Sequence, residues 1–148
     1  MEREELKNVV IADLQEKKEY HEKMISKLQS ANTAYHATGS VIGALIYMKV
    51  QVRINDDEYP QYSNMTFDGD AYGIAALGGG ALVGDIYTDD ILRLFSSTCY
   101  FEINVLPVYV NINFFDSSHQ YLGSYHAGAV AVTGGMASGK GSWHGSYK

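Results

Sequence analysis

The chain has a single cysteine, Cys99, among its 148 residues, and it has few basic side chains. One cysteine excludes an internal disulfide, and it cannot supply a zinc site built from cysteines. There are 11 basic residues against 17 acidic ones, which gives a formal net charge of -6. Because nucleic-acid-binding domains need a positive surface to meet the phosphate backbone, this balance excludes nucleic acid as the expected partner. The length fits one domain of ordinary size.

The first 30 residues lack glycine and proline altogether, although they are dense in charged side chains. They are rich in Glu, Lys, Gln, Leu and Met, and their apolar residues fall mostly three or four positions apart, which predicts an amphipathic α-helix. We therefore expect a charged helical segment over residues 1–34 and a β-barrel domain over residues 35–148. The helix could dock loosely on that domain, associate with a partner through residues 1–30, or lie on a membrane. Its near-neutral charge disfavours the membrane option.

Long hydrophobic runs are also missing from the N-terminal part of the chain. The longest apolar stretch there is residues 9–12. A signal-peptide core needs roughly 7–15 apolar residues and a membrane-spanning helix needs about 20. The N-terminal sequence alone is therefore compatible with a cytoplasmic protein, with export by a non-classical route, or with a leader that precedes Met1 in the natural chain.

Beyond the N-terminal segment the pattern changes to short β-rich runs separated by Gly, Asn and Asp. About eight such runs follow one another, which is typical of an antiparallel sandwich or barrel, and the many glycines suit a small, strongly curved barrel. One stretch is helix-like, since Thr88 is a suitable N-cap and two aspartates and an apolar face follow it. The sequence thus predicts an all-β fold, a compact eight-stranded antiparallel barrel with one short helix at about residues 88–96. The predicted strands are 41–54 (one strand or two), 65–67, 71–77, 81–87, 98–106, 108–115, 120–133 and 140–147.

Glycine-containing clusters mark the predicted turns between these strands. Asp68-Gly69-Asp70 predicts a turn, Gly78-Gly79-Gly80 a break between two strands, and residues 134–140 (GGMASGK) a turn that closes the barrel. The last cluster matches part of a phosphate-binding loop, but Gly141 replaces the Ser or Thr that would reach magnesium, and too few residues remain for the required helix. The glycines at 78–84 do not fit a dinucleotide-binding loop either, because the segment after them is β-like.

Candidate metal ligands and catalytic groups are scattered along the chain. Asp68-Gly69-Asp70 and Asp56-Asp57-Glu58 could offer oxygen atoms to calcium, but they lack the other ligands of an EF-hand, so we interpret them as turns. The histidines have neither HxH nor HExxH spacing, and no nucleophile–base arrangement is evident around Cys99 or Ser142. The sequence therefore predicts no catalytic residues, no metal site and no cofactor, and it leaves ligand-binding residues unknown. The five histidines are His21, His36, His119, His126 and His144.

Residues 65–143 resemble the virulence-associated protein (Vap) family, small secreted proteins of an actinobacterial pathogen that lives inside macrophages. The most specific parts are residues 110–118 (VNINFFDSS) and 127–130 (AGAV), and residues 41–52 are similar to the family's first strand region. The N-terminal helical segment lies outside this resemblance. The other matching residues are 66–71 (TFDGDA), Gly84, 87–90 (YTDD), Arg93, Leu94, Leu122, Gly123 and 141–143 (GSW).

The resemblance implies a compact eight-stranded antiparallel barrel with one short helix and an interior filled by side chains. It also implies secretion and a role in survival inside host phagocytes, with a host membrane lipid or a host protein as partner. No catalytic residues are established for the family, so none are carried to this chain.

Three hypotheses on function follow. The leading one is a non-enzymatic effector that acts by contact with a host membrane or protein, helped by tyrosine rings that are apolar with a polar tip. The alternatives are an oligomeric structural or interaction module assembled through residues 1–30, and a barrel that binds a small ligand in its interior.

Overall fold

The computed structural model describes residues 33–74, 78–106, 109–130 and 134–146. The helix predicted over residues 1–30 lies outside the described residues. Within them, eight antiparallel strands form one closed barrel with one short α-helix, so the predicted all-β fold is confirmed. The elements are β1 (Thr33–Ala44), β2 (Tyr47–Ile54), a 3-10 helix (Pro60–Tyr62), β3 (Thr66–Ile74), β4 (Gly78–Thr88), α1 (Ile91–Ser97), β5 (Tyr100–Leu106), β6 (Tyr109–Phe115), β7 (Tyr121–Val130) and β8 (Gly135–His144).

The strands run around the barrel in the order β1-β2-β3-β8-β5-β6-β7-β4, and β4 pairs with β1 to close it. All neighbouring strands are antiparallel. The strand ends that are joined after β1, β3, β5 and β7 therefore lie at one end of the barrel. The connections after β2, β4 and β6, including α1, lie at the opposite end, which we call the helix end.

Large side chains fill the barrel interior. The rings of Phe67, Phe101 and Phe114 meet there, with centroids 5.0 to 5.1 Å apart for the two pairs that include Phe67. Gly69 makes room for them, because a Cβ at this position would lie 2.5 Å from the Phe101 ring and 2.8 Å from the Phe67 ring. Tyr125 is also fully buried, and its hydroxyl donates to the carbonyl of Ala37. This packing agrees with the filled interior that the family resemblance implied.

The predicted turn at Asp68-Gly69-Asp70 is wrong, because the three residues lie within β3. Both carboxylates point outward and find partners across the strand pair with β2. Gln51 Nε2 donates to Asp68 Oδ1 at 2.8 Å, and Lys49 Nζ lies 3.4 Å from Asp70 Oδ1. The glycine is there to make space for aromatic rings, and the aspartates are stabilised by cross-strand pairing.

Two other glycine clusters also lie in strands instead of turns. Gly78, Gly79 and Gly80 are the first residues of β4 and pair with β1, so the predicted break between strands is wrong. Most of the GGMASGK motif is in β8, which begins at Gly135, so the predicted closing turn is wrong as well. Its backbone N–H groups belong to the sheet, which agrees with rejecting a phosphate-binding loop. Runs of glycine look like turns in sequence, but small barrels also use them where strands bend.

The short helix was predicted correctly, but its N-cap was not. Helix α1 is Ile91–Ser97, and Asp90 caps it by accepting a hydrogen bond from the Arg93 backbone N–H at 3.1 Å. Thr88, the predicted cap, is the last residue of β4, and its hydroxyl donates to the carbonyl of Leu122 at 2.8 Å. Among the described residues, no helix is both long and apolar enough to cross a membrane.

Candidate functional site

Among the residues that the structure describes, no charged side chain lies at the end of the barrel opposite α1. Four stretches of sequence contain the strand ends that meet here together with the residues between those ends in the sequence, namely 41–48, 71–84, 103–115 and 127–139. None of them contains Asp, Glu, Lys or Arg. We call this the charge-free end. Its composition differs sharply from that of the three connections at the helix end, which hold Asp56, Asp57, Glu58, Asp89, Asp90, Arg93 and Asp116.

Aliphatic side chains at the charge-free end point into solvent. Leu45, Ile46 and Ile74 are 79%, 68% and 75% exposed, and Leu106 and Met136 are more than half exposed. We call these five residues the apolar rim. Ile74 and Met136 are register partners, and the carbonyl of Ile46 accepts from the N–H of Gly73, so three of the five lie side by side. Exposed aliphatic clusters of this kind mark interaction surfaces on soluble proteins.

The tip of the β1–β2 hairpin is unfavourable for an isolated molecule. Leu45 and Ile46 form the two-residue turn between Ala44 and Tyr47. Leu45 has a φ of 56°, in the left-handed region that glycine, asparagine and aspartate tolerate best. A leucine at this position is both strained and exposed. Asparagine would suit this backbone conformation better, and the leucine instead places an exposed aliphatic side chain at the hairpin tip.

The helix end is closed and polar by comparison. Phe95 of α1 packs on Trp143 of β8, with ring centroids 5.2 Å apart, and both are buried. Asp56 accepts hydrogen bonds from the backbone N–H groups of His36 and Glu58, at 2.7 and 2.9 Å. Asp56 therefore makes the turn predicted at Asp56-Asp57-Glu58. In the described ranges, no three His, Cys, Asp or Glu side chains converge as a possible metal site.

A second distinctive region is a network of amide side chains on the outer face of β5 and β6. Asn113 Nδ2 donates to Glu102 Oε1 at 2.7 Å and to Asn111 Oδ1 at 2.9 Å. Asn104 Nδ2 donates to Asn111 Oδ1 at 3.3 Å. Asn113 is buried although it faces outward, and burial raises the pKa of the Glu102 carboxyl while the bond from Asn113 opposes that shift. Hydrogen bonding of this kind is what makes buried amides tolerable.

The network continues onto β7 through His126. Asn111 Nδ2 lies 3.5 Å from His126 Nε2, and the Tyr109 hydroxyl hydrogen-bonds to His126 Nδ1. Ser124 Oγ lies 3.1 Å from His126 Nε2 and 2.7 Å from the Tyr121 hydroxyl. Burial lowers the pKa of the His126 imidazole, which favours the neutral ring. The part of the network around His126 therefore offers neutral hydrogen-bonding groups.

Comparison with known proteins identifies the family. The sequence model described as Rhodococcus equi virulence-associated protein matches residues 4–144. The chain belongs to this family. The match begins well before the barrel, so it takes in most of the N-terminal segment that the sequence resemblance had left outside. A search of curated proteins gave no match.

Two solved Vap structures support the assignment. VapB from the intracellular pathogen Rhodococcus equi is 43% identical, with a TM-score of 0.65 over 76% of this chain and 96% of VapB. VapD from the same organism is 35% identical, with a TM-score of 0.71 over 77% of this chain and 99% of VapD. This protein is thus similar to both over nearly their whole length.

The histidines of this Vap-family chain are mostly separated from one another. His36 and His144 each face one aspartate, with His36 Nδ1 3.5 Å from Asp85 and His144 Nδ1 3.1 Å from Asp68. His119 stacks on Tyr100, with ring centroids 4.4 Å apart. His21 lies outside the described residues. Each described histidine therefore has an ordinary partner, and only His126 belongs to an extended network.

The pair Ser124 and His126 is one that sequence reasoning missed, since it considered Cys99 and Ser142 as nucleophiles. The spacing of two residues on a strand, which puts both side chains on one face, was the available signal. Ser124 is fully buried, so its hydroxyl has no access to a substrate carbonyl. The apolar rim was also missed, although four charge-free stretches at regular spacing in a barrel sequence are visible without a structure.

Proposed function

We propose that this Vap-family protein is a secreted, non-enzymatic effector that docks on a host membrane through the charge-free end of its barrel. The observation that carries the proposal is the β1–β2 hairpin tip, where a leucine in left-handed backbone conformation is 79% exposed beside an exposed isoleucine. Lipid contact would bury these side chains and offset the strain, because apolar surface removed from water is stabilising.

The chemistry of the rim favours a lipid surface over a protein partner. Its five side chains are all aliphatic or thioether groups without hydrogen-bond donors, whereas protein interfaces combine an apolar centre with arginine, tyrosine and direct hydrogen bonds. Exposed Tyr72 and Tyr109 flank the rim. Tyrosine is enriched where proteins meet the boundary between water and lipid, since its ring is apolar and its tip polar. The acidic helix end would then face away from the bilayer.

Acidic pH should favour docking. The chain carries a formal net charge of -6 at pH 7, and the cytoplasmic leaflets of membranes are negatively charged as well. Protonation of carboxylates and histidines lowers this mutual repulsion. The effect should be largest on anionic vesicles and at low salt, because salt screens charges more than a Debye length apart.

Vesicle flotation tests the proposal. The full chain is mixed with phosphatidylcholine vesicles, alone or with phosphatidylserine, at neutral and at acidic pH, and the bound fraction is measured after centrifugation. We expect association with both, increasing as the pH falls. Absence of association at any pH, with protein shown to be folded by circular dichroism, would refute the membrane proposal and leave a host protein as the partner.

The other two hypotheses keep their own tests. An internal ligand would need a cavity, and the phenylalanine rings and Tyr125 fill the described interior. Association through residues 1–30 concerns residues outside the described ranges and stays a prediction. The mass in solution of the full chain, compared with that of a chain starting at Thr33, tests it. A larger mass for the full chain alone would support an assembly role for the segment.

A further inference from the structure

Asn111 and Asn113 form a reciprocal pair of amides on the outer face of β6. Asn113 Nδ2 donates to Asn111 Oδ1 at 2.9 Å, and Asn111 Nδ2 donates to Asn113 Oδ1 at 3.1 Å. We call these two side chains the amide pair. Turning one amide group over would set donor against donor and acceptor against acceptor, whereas turning both over restores both hydrogen bonds. The amide pair therefore has two arrangements, and its members change together.

The groups at the two ends of the amide pair select the present arrangement. At one end Glu102 Oε1 accepts a hydrogen bond from Asn113 Nδ2 at 2.7 Å. At the other end Asn111 turns Nδ2 toward His126 Nε2, 3.5 Å away, so this ring nitrogen is an acceptor. The proton of the neutral ring then lies on Nδ1, which hydrogen-bonds to the Tyr109 hydroxyl. An ionised carboxylate and a neutral imidazole thus favour the same arrangement.

The opposite arrangement needs a proton at each end. With both amides turned over, Asn113 Oδ1 would face Glu102, and Asn111 Oδ1 would face His126 Nε2. Each oxygen needs a hydrogen opposite it, from a carboxyl O–H at one end and an imidazolium N–H at the other. Water cannot replace either one at the inner position, because Asn113 is 1% exposed. Half-buried Asn104, which donates to Asn111 Oδ1 at 3.3 Å, can turn its own amide to follow.

We propose that Glu102 and His126 take up protons cooperatively through the amide pair, so that this face of the barrel is a two-proton switch. One proton passes from solvent to Glu102 Oε1 and one to His126 Nε2, and both amides turn over without any other change of bonds. The two end groups together change from one negative charge to one positive charge. Because a single proton leaves one end with mismatched partners, the second proton binds more tightly than the first.

Burial brings the two titrations toward each other. It raises the pKa of the Glu102 carboxyl, although the bond from Asn113 opposes that shift, and it lowers the pKa of the His126 imidazole. A carboxyl and an imidazole ordinarily titrate about two pH units apart. Both protons are therefore taken up as the pH falls from neutral into the acidic range.

The strand next to Glu102 supplies a constant positive charge. Among the described residues of β8, Ser138 is the register partner of Glu102, and Lys140 is that of Tyr100. Lys140 Nζ lies 5.9 Å from the centre of the Tyr100 ring. Lysine is charged throughout the range from neutral to acidic pH, so it does not itself contribute to the switch.

The described groups that face His126 include one carboxylate, Asp85, its register partner on β4. Asp85 Oδ1 lies 3.5 Å from His36 Nδ1. Ser124 Oγ, 3.1 Å from His126 Nε2, can donate to the neutral ring or accept from the charged one, so it suits both states. The other groups around the ring are uncharged, namely Asn111 and Tyr109 on β6 and Tyr87 on β4.

The switch would regulate the membrane docking proposed above, and this role rests on that proposal. Asn104 is two residues from Leu106 of the apolar rim, and Asn111 is two residues from exposed Tyr109. The amide pair therefore lies next to the charge-free end. Proton uptake removes a negative charge there and adds a positive one, which favours approach to a bilayer with anionic lipids.

Nuclear magnetic resonance of the His126 ring tests the coupling without a membrane. The full chain is titrated from neutral to acidic pH, with circular dichroism showing that it stays folded. In Glu102→Gln the new amide can accept from Asn113 or donate to it, so the amide pair can turn over without a proton. We expect the proton affinity of His126 to rise about three- to tenfold, the effect of about one net hydrogen bond.

The sign of this change distinguishes the switch from simple attraction between charges. Asp85→Asn is the matched control, because it also removes a carboxylate near His126 but one without a hydrogen bond to the amide pair. It should lower the proton affinity of His126, as loss of a negative charge does. An unchanged or lower affinity in Glu102→Gln would overturn the coupling.

The unaltered chain gives a second test that needs no variant. The side-chain amide signals of Asn111 and Asn113 should shift with the same midpoint as the His126 ring, and more steeply than for one proton. Amide signals that stay in place while the ring titrates would contradict the switch, even if Glu102→Gln does not fold.

Vesicle partition separates the switch from its role in docking. On vesicles of phosphatidylcholine and phosphatidylserine, the pH midpoint of partition should follow that of His126 and move toward neutral pH in Glu102→Gln. An unchanged midpoint in that variant contradicts regulation by the switch and leaves docking intact. No partition at any pH contradicts membrane docking, and with it the regulatory role, whereas the coupling is decided by the resonance measurements.

Discussion

The substitution Leu45→Asn distinguishes the effect of Leu45 on the stability of the fold from its effect on membrane binding. Leu45 is the first residue of a two-residue hairpin turn, with a φ of 56° and 79% of its surface exposed. Asparagine tolerates this backbone conformation better than leucine, because its short side chain can bond locally to the backbone. The same change removes an aliphatic group from the apolar rim. We therefore expect opposite effects on stability and on binding.

The magnitudes follow from the exposure and the backbone conformation. Left-handed conformation costs an ordinary residue about 1–2 kcal/mol, so relieving part of it should raise the free energy of unfolding by about 0.5–1 kcal/mol. Burying a leucine side chain completely contributes about 1.5–3 kcal/mol, and the 79% that is exposed could gain about 1–2 kcal/mol on entering lipid. Losing that contribution corresponds to weaker vesicle partition by roughly 5- to 30-fold.

Two assays on one preparation check this prediction. Urea unfolding gives the stability change, and titration with phosphatidylcholine vesicles gives the partition change. Leu92→Asn is the matched control, since Leu92 is an exposed leucine on α1 at the helix end, and its loss should leave partition unchanged. A lower stability of Leu45→Asn would refute the strain at the hairpin tip, and an equal loss of partition in Leu45→Asn and Leu92→Asn would refute membrane contact through Leu45.

Three further predictions concern the barrel itself. Gly69→Ala places a methyl group 2.5 Å from the Phe101 ring, so urea unfolding should show a loss of about 1–3 kcal/mol, and an unchanged midpoint would contradict the packed interior. Asp90→Ala removes the acceptor for the Arg93 N–H and should cost about 1 kcal/mol by the same measurement, with no cost if the cap is unimportant. Burial lowers the pKa of His126 from 6.5, so the unfolded chain takes up the proton first and stability falls as the pH drops below that value. His126→Gln should therefore lose less stability than the unaltered chain between neutral pH and about pH 5, and an identical loss would contradict a neutral, half-buried imidazole.

The barrel could be predicted from the sequence because the alternation of apolar residues along strands and the spacing of the β-rich runs are visible in a single sequence. Residues 109–115 alternate cleanly, and the structure buries Val110, Ile112 and Phe114 on one side, as that pattern requires. Apart from the N-cap predicted at Thr88, the wrong predictions concern glycine clusters. Gly69 lies in a strand, where two phenylalanine rings occupy the space of its missing side chain. One of these rings belongs to Phe101, which is more than 30 positions away in the sequence. No local pattern distinguishes such a glycine from a turn.

The candidate site likewise combines features that can be predicted from the sequence with features that only the structure shows. The absence of charge from residues 41–48, 71–84, 103–115 and 127–139 can be read from the sequence. That these stretches meet at one end follows only from the antiparallel order of the strands. The amide network needs more still, since it depends on the register that sets Asn111 beside His126 across β6 and β7. The composition of each stretch can be read from the local sequence, whereas the side chains that meet at the site are determined by strand register.

Site-specific labelling tests most directly whether the charge-free end is the membrane-facing end. Cys99, the only cysteine, is replaced by serine, and a single new cysteine is introduced by Ile46→Cys at the rim or by Ser118→Cys at the helix end. Each carries an environment-sensitive fluorophore, and the vesicles contain a lipid with a quencher in its acyl chain. A membrane-facing charge-free end predicts a blue shift and strong quenching at position 46 and neither at position 118. Equal quenching at both positions, or quenching at position 118 alone, would contradict it.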